Sequence, residues 1–231
     1  MSAIVSVVIP TWNRHELLER AVASVQAQTY SPIEIIVVDD GSDIQVSLKS
    51  GGSISRVYHR PHLGISAAIN FGLARANGEL ICILGSDDEM KPELIATEAI
   101  FILDNPNVDM CYTDSISTNA VIQRFDRIPD YERYATMATG IPHGCALWRS
   151  EIIRRIPHDE TLPSGIDYEF IMQAFEAGVR MSWVPGEPLW ILNVGPHPRE
   201  CGTKRQREGV RISLRRRSRP IPDWLKESMD P

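Results

Sequence analysis

The sequence predicts an α/β fold on a largely parallel sheet with helices on both faces, and three observations carry the prediction. Short runs of β-branched, apolar residues alternate with helix-period segments through residues 1–113. The runs are apolar throughout instead of alternating, as in strands covered on both faces. Two of them end in paired acids, Asp39-Asp40 and Asp87-Asp88, at the carboxyl ends of strands, where open α/β sheets bind ligands.

Val5 through Pro10 is the first such strand, closed by its proline. Leu17, Leu18, Ala21, Val22 and Val25 give the following helix one apolar face, with Asn13 or His15 near its start and Tyr30-Ser31-Pro32 as its stop. Glu34–Val38 is the second strand, and Asp39-Asp40-Gly41-Ser42 its polar turn. Residues 43–53 read as loop and Arg56–His59 as a short strand. A helix is predicted from Gly64 to Asn77, stopped by Gly78, and a buried strand over Leu80–Leu84. Pro92 opens a helix reaching Asp104, with Leu94, Ile95, Ile100, Phe101 and Leu103 as its apolar residues, and Val108–Tyr112 is the next strand. Residues 114–163 are irregular apart from a strand at Gly144–Trp148 and a short helix near Ile152. Asp167–Ala177 is a helix, and Val179–Val184 and Leu189–Leu192 are strands. The expected organisation is one domain over 1–198, with a ligand-binding half (1–113) and a second half (114–198), followed by a basic extension over 199–231.

The 231 residues are 43% hydrophobic and 23% charged, a composition that excludes disorder. No apolar run approaches the ~20 residues a bilayer-spanning helix needs, and the start has no basic region ahead of an apolar one. A cytoplasmic location is expected. Cys82, Cys111, Cys145 and Cys201 form no C-x-x-C pair, so Cys82 and Cys111 read as core residues. The net charge of −6 speaks against nucleic acid, yet residues 199–219 hold 9 basic and 2 acidic side chains. With Val210, Ile212 and Leu214 interleaved, that block could lie peripherally on the inner, anionic face of a membrane, or form a solvated tail.

Two aspartate pairs on one sheet edge repel unless a cation or hydrogen-bond donors neutralise them. Mg²⁺ and Mn²⁺ prefer such oxygen ligands and bridge phosphates with one or two carboxylates, so a nucleoside diphosphate fits. Aspartate also favours turns after strands, an explanation that serves one pair better than two. Neither a Walker loop nor G-x-G-x-x-G is present.

Val7–Arg14, Ile33–Ser42, Asn70–Ala76, Gly78-Glu79, Ser86-Asp87-Asp88 and Pro92, in this order and spacing, resemble the inverting, nucleotide-sugar-dependent glycosyltransferases of family 2. The resemblance spans roughly residues 4–195 and implies a single A-type glycosyltransferase domain, with a Rossmann-like, mostly parallel sheet flanked by helices. It implies nucleotide contacts from Pro10, Thr11, Asn13, Arg14, Asp40 and Asn70, with Asp40 accepting from a uracil N–H. It implies Asp87 for the ribose, Asp88 and His197 for Mn²⁺ or Mg²⁺, and Asp167, in the Ile166–Glu169 segment, as general base. The implied reaction moves one sugar from a nucleoside-diphosphate sugar, UDP by preference, to a hydroxyl of a glycan or lipid-linked saccharide. The Gln-x-x-Arg-Trp motif of processive synthases is absent. Two departures stand out: Gly85 replaces the first aspartate of the usual D-x-D, and Ile69 an arginine common before Asn70. Arg14 and Arg75 are the candidate substitutes. Against the transferase stand two alternatives, a sugar-nucleotide-binding protein without catalysis and a sugar nucleotidyltransferase, the latter without its Gly-rich first loop here.

Overall fold

The computed structural model describes residues 2–47, 54–127, 129–137, 141–193 and 204–220. Strand β1 (Val5–Thr11) is buried at every position because it lies in the middle of the sheet. It pairs in parallel with β2 (Ile33–Asp39) and β4 (Leu80–Ile83), and β2 pairs with β3 (Ile54–His59). Side chains alternate along β1. Val5, Val7 and Ile9 join the core under α1 (His15–Gln26) and α3 (Leu94–Asp104), while Val8 faces α2 (Ile65–Leu73) and α6 (Ile166–Glu176).

The predicted face of α1 is buried as expected. In α3 the buried residues are Leu94, Ile95, Glu98, Ala99 and Ile102, whereas Ile100 and Leu103 are exposed, because one stripe of a short helix meets the sheet. The helix predicted to reach Asn77 ends at Leu73. Beyond it Asn77 donates from its backbone and side chain to Glu34 (2.8 and 2.7 Å), which also accepts from Ser6 Oγ at 2.7 Å. This buried network ties the end of α2 to β1 and β2, and its donors outweigh burial to hold the Glu34 carboxyl below its ordinary range.

The second half is where expectation and structure differ most. β9 (Leu147–Arg149) runs antiparallel between β4 and β6 (Met110–Tyr112), and β10 (Met181–Trp183) pairs with β6 to complete the order β10-β6-β9-β4-β1-β2-β3. The strand predicted at Leu189–Leu192 is β11 (Trp190–Leu192), but the second sheet it forms with β5 (Glu89–Met90), β7 (Ser115–Ser117) and β8 (Ile122–Gln123) was not predicted. Those three strands have two or three residues, too few for a period to register. Helices α4 (Tyr131–Met137) and α5 (Ser150–Ile153) complete this half.

Within the basic block, Lys204–Arg216 form helix α7, whose described apolar residues pack on the domain. Val210 and Leu214 are buried in the core, with Ile212 packed against it. Arg217 grips Glu169 through both guanidinium nitrogens (2.7 and 3.0 Å), Arg219 does the same to Glu132 (2.7 and 2.8 Å), and Arg216 pairs with Asp159. Acidic side chains of the body therefore supply partners to Arg216, Arg217 and Arg219. Cys82 and Cys111 are buried free thiols, as predicted, and so is Cys145. Among the described residues no helix is long and apolar enough to cross a membrane.

Candidate functional site

Parallel register sets Thr11 beside Asp39 and Asp39 beside His59, so the loops after β1, β2 and β3 leave the sheet together. The Asp40 backbone N–H donates to Thr11 O (2.9 Å). Gly41 adopts φ +77°, and a Cβ there would lie 2.7 Å from His62 N, so the turn between the acids and the 60–64 loop requires glycine. Asn13, at φ 51°, exchanges hydrogen bonds with Asp43 (Nδ2 to Oδ2 3.0 Å; Asp43 N to Oδ1 2.8 Å) and donates its backbone N–H to Ser42 Oγ. Its side chain joins two loops, where a nucleotide contact was expected. Pro10 and Thr11 are buried in β1, and Thr11 Oγ1 is a buried hydroxyl with no hydrogen-bond partner among the described residues. Trp12 is half exposed and stacks on His62, with centroids 4.4 Å apart.

Asp39 and Asp40 are both built into the fold. Burial disfavours charge on Asp39, but bonds from Ser42, His59 and the Val46 amide outweigh it and hold the carboxyl below its usual range. Asp40 accepts from the amides of Leu63 (3.1 Å) and Gly64 (2.8 Å), with His62 Nδ1 at 3.0 Å and Arg60 Nε at 3.6 Å. Its carboxylate, expected to meet a uracil N–H, accepts these two amide bonds at the start of α2 and keeps further acceptor sites.

The second acid pair is arranged differently. Arg14 Nη1 lies 3.1 Å from Asp87 Oδ2, so the arginine ahead of α1 neutralises the loop after β4. Asp88 is buried, accepting from Trp190 Nε1 (3.2 Å) on Oδ2 and from the Asn193 amide (3.1 Å) on Oδ1. A Cβ on Gly85 would lie 3.0 Å from Asp87 Oδ1 and 3.4 Å from Asp88 Oδ2. The missing first aspartate would thus add a third carboxylate where two already crowd. Among the described residues no three His, Cys, Asp or Glu side chains group to hold a metal. Two carboxylates are nonetheless what Mg²⁺ or Mn²⁺ takes when phosphates fill its other positions. His197 lies outside the described residues.

Asp167 is in the first turn of α6, entered through Gly165 in the left-handed conformation. Its side chain is 66% exposed, and Oδ1 lies 3.3 Å from His143 Nδ1. Glu169 turns inward to Arg217 and Gln173; burial raises its carboxyl, but the Arg217 and Ser213 bonds outweigh that and hold it low. Asn70, expected to contact the nucleotide, donates to His158 O (2.9 Å) and Glu160 Oε1 (2.8 Å) and accepts from His158 N, clamping the segment before α6. Arg75 lies flat over Phe71, 3.3 Å from its centroid, and does not reach the acids.

Sequence reasoning missed Trp190, His143 and His158. Trp190 reached Asp88 only because β5 and β11 pair across about a hundred residues of chain. What results is an edge with one carboxylate paired to Arg14 and one buried and oriented by Trp190 and Asn193, while Asp167 stands at the start of α6 beside His143. Such a pair of carboxylates can hold a metal-bridged diphosphate.

The family model for Glycosyl transferase family 2 matches residues 6–162. A GalNAc(5)-diNAcBac-PP-undecaprenol beta-1,3-glucosyltransferase of Campylobacter jejuni is 35% identical over 99 residues, 40% of this chain and 32% of that protein. The chain spans about a third of the length of such curated relatives. Among solved structures, S. aureus TarS in complex with UDP-GlcNAc superposes with a TM-score of 0.74 at 19% identity, covering 91% of this chain and 65% of that one. A mannosyltransferase of Pyrobaculum calidifontis with GDP-Man and Mn²⁺ gives 0.67 at 18% identity, covering 94% of this chain and 64% of that one. These likenesses establish the A-type glycosyltransferase fold expected from the sequence. Its sheet, its two acid turns and the match over residues 6–162 place the chain in Glycosyl transferase family 2.

Proposed function

We propose that this glycosyltransferase moves one sugar from a UDP-sugar to a hydroxyl of a glycan or lipid-linked saccharide, with inversion at the anomeric carbon. The observation that carries the reading is Asp88, a buried carboxylate fixed by Trp190 and Asn193 beside the Arg14–Asp87 pair. A buried carboxylate held in a fixed orientation suits a group that meets a diphosphate and its counter-ion. UDP and UDP-GlcNAc are bound by TarS, and the Campylobacter relative is named for a lipid-linked substrate; both support these choices by analogy.

Asp88 would hold Mn²⁺ or Mg²⁺ together with diphosphate oxygens, and Asp87 would serve the ribose or the same ion. When bound, the ion neutralises charge that develops on the leaving diphosphate. Thr11, with its unpartnered hydroxyl, and the exposed Trp12 ring would line the nucleoside side of the edge. Asp167 would remove the proton of the attacking hydroxyl: exposed and, among the described residues, not locked in an ion pair with lysine or arginine, it is open to an acceptor. Any peripheral contact of residues 199–219 with a membrane would rest on charge, since the described apolar side chains of α7 face the core.

The deciding experiment is calorimetric titration of UDP and GDP with Mn²⁺ or with EDTA, alongside UDP release from UDP-N-acetylglucosamine and UDP-glucose. The reading requires tighter UDP binding with Mn²⁺, and equal affinity in EDTA would remove the metal from it. Binding without any sugar transfer across a panel of glycan and lipid-linked acceptors would favour a binding protein.

A further inference from the structure

Asp167 is one end of a chain of three side chains. His143 Nδ1 lies 3.3 Å from Asp167 Oδ1, and His143 Nε2 lies 2.6 Å from His158 Nε2. Two ring nitrogens at that distance share one proton, because two lone pairs or two N–H groups would repel. With the proton on His143 Nε2, a neutral His143 would present a bare lone pair to the carboxylate. With the proton on His158 Nε2, His143 accepts there and keeps its Nδ1–H for Asp167.

The far end of the chain selects between these. His158 Nδ1 is buried and has no hydrogen-bond partner among the described residues. A buried orphan N–H is rarer and costlier than an orphan acceptor, so His158 carries its proton on Nε2. Burial holds both imidazoles below the ordinary histidine range, His143 adding to the effect on His158, so both are neutral near pH 7.

The surroundings lock this geometry. Phe170, on the same helix as Asp167, stacks on His158 (4.1 Å between centroids, 11°) and meets His143 edge-on (4.9 Å). Asn70 fixes the His158 backbone from α2 with two bonds of 2.9 Å. Among the described residues, Tyr134 on α4, whose phenol is raised by burial and then by Asp167, and Glu160, which accepts from Asn70, belong to the same cluster, and Asp159 beside His158 is paired with Arg216.

We propose that His143 is a positioning residue for the sugar-transfer reaction: its Nδ1–H faces Asp167 Oδ1 at 3.3 Å and steers the carboxylate by electrostatic attraction, and His158 fixes the tautomer that makes this possible. The second carboxylate oxygen is then left to receive the proton of the acceptor hydroxyl. As that O–H bond breaks, the acceptor oxygen bonds to the anomeric carbon, and the bond to the diphosphate breaks with its electron pair leaving on UDP. The proposal deepens the reading of Asp167 as base and rests on it.

The test has two arms. Nitrogen-15 NMR of the imidazoles in the full chain, assigned with His143→Phe and His158→Gln, should show His143 protonated at Nδ1 and His158 at Nε2. A wild-type His143 carrying its proton on Nε2 overturns the proposal, and this measurement stands even where a variant fails to fold. In the second arm UDP release from UDP-N-acetylglucosamine and UDP-glucose is followed with Mn²⁺. His143→Phe should lower kcat about ten- to a hundredfold with little change in KM, the scale set by a misplaced catalytic group. His143→Asn, whose amide can donate from near the Nδ1 position, should recover most of the loss. Severe loss in Asp167→Asn with normal turnover in His143→Phe leaves the base reading intact and discards the positioning role. Normal turnover in Asp167→Asn removes the base reading and the proposal with it.

Discussion

The Trp190 indole N–H donates to Asp88 across 3.2 Å, and the edge of the same ring lies 3.4 Å from where a Cβ of Gly144 would stand. One side chain therefore joins the acid turn after β4 to the segment that carries His143. Removing its donor while keeping an aromatic ring tests how much Asp88 depends on it. Trp190→Phe should weaken UDP binding in Mn²⁺ by about tenfold, the scale of ~1.4 kcal/mol for one charge-assisted hydrogen bond. Asp88→Ala should abolish the difference between Mn²⁺ and EDTA. Unchanged calorimetric affinity in both variants would show that the diphosphate binds elsewhere.

Asp167→Asn should leave the fold and nucleotide affinity unchanged, because the side chain is two-thirds exposed. Turnover should fall ~10²–10⁴-fold, since the amide cannot take up a proton. Steady-state kinetics beside a thermal melt separates this from simple unfolding, which would lower both together.

Arg217 is the lock between α7 and α6. Arg217→Ala leaves Glu169 buried without its partner and should cost on the order of 3 kcal/mol of stability. Glu169→Gln removes the charge but keeps an acceptor, so its cost should be smaller, at ~1 kcal/mol. Chemical denaturation of both variants gives the comparison, and equal small losses would show that α7 contributes little.

Gly209→Ala is a sharper probe of the same helix. Its Cβ would run into the Ser164 carbonyl oxygen, a backbone clash that forces α7 away from the entrance of α6. The expected result is increased proteolysis near residues 204–216, with lower stability. An intact protease pattern would mean that the helix can shift without undocking.

Stability should fall in two stages on acidification. His143 and His158 bind protons less readily folded than unfolded, so their cost grows as pH drops below the unfolded value of 6.5. Glu169 is depressed too; its contribution is complete above 4.5 and is lost as pH falls through its lower folded value. Melting temperatures from pH 8 to 3 should show both, with His158→Gln flattening the first stage. No change between pH 8 and 5 would contradict neutral buried histidines.

The parallel sheet and the acid turns were legible because their causes are local. β1, β2 and β4 are apolar at nearly every position, which only burial on both faces explains, and a strand's end followed by aspartates needs no partner to be recognised. The resemblance in residues 7–14, 33–42 and 86–88 reads from residue identity, order and spacing together, and Asp167 as a base is what that resemblance implies. The tertiary structure decided what those residues touch. Asn70 and Asn13 became clamps and Asp40 a fastening for α2, since an amide or carboxylate is claimed by whichever donors folding brings within 3 Å. Trp190, His143 and His158 joined the site through pairings of chain segments far apart, to which no local period refers. The basic segment, legible as charge, became a docked helix because Glu169, Glu176, Asp159 and Glu132 form an acidic face that exists only once the domain is folded.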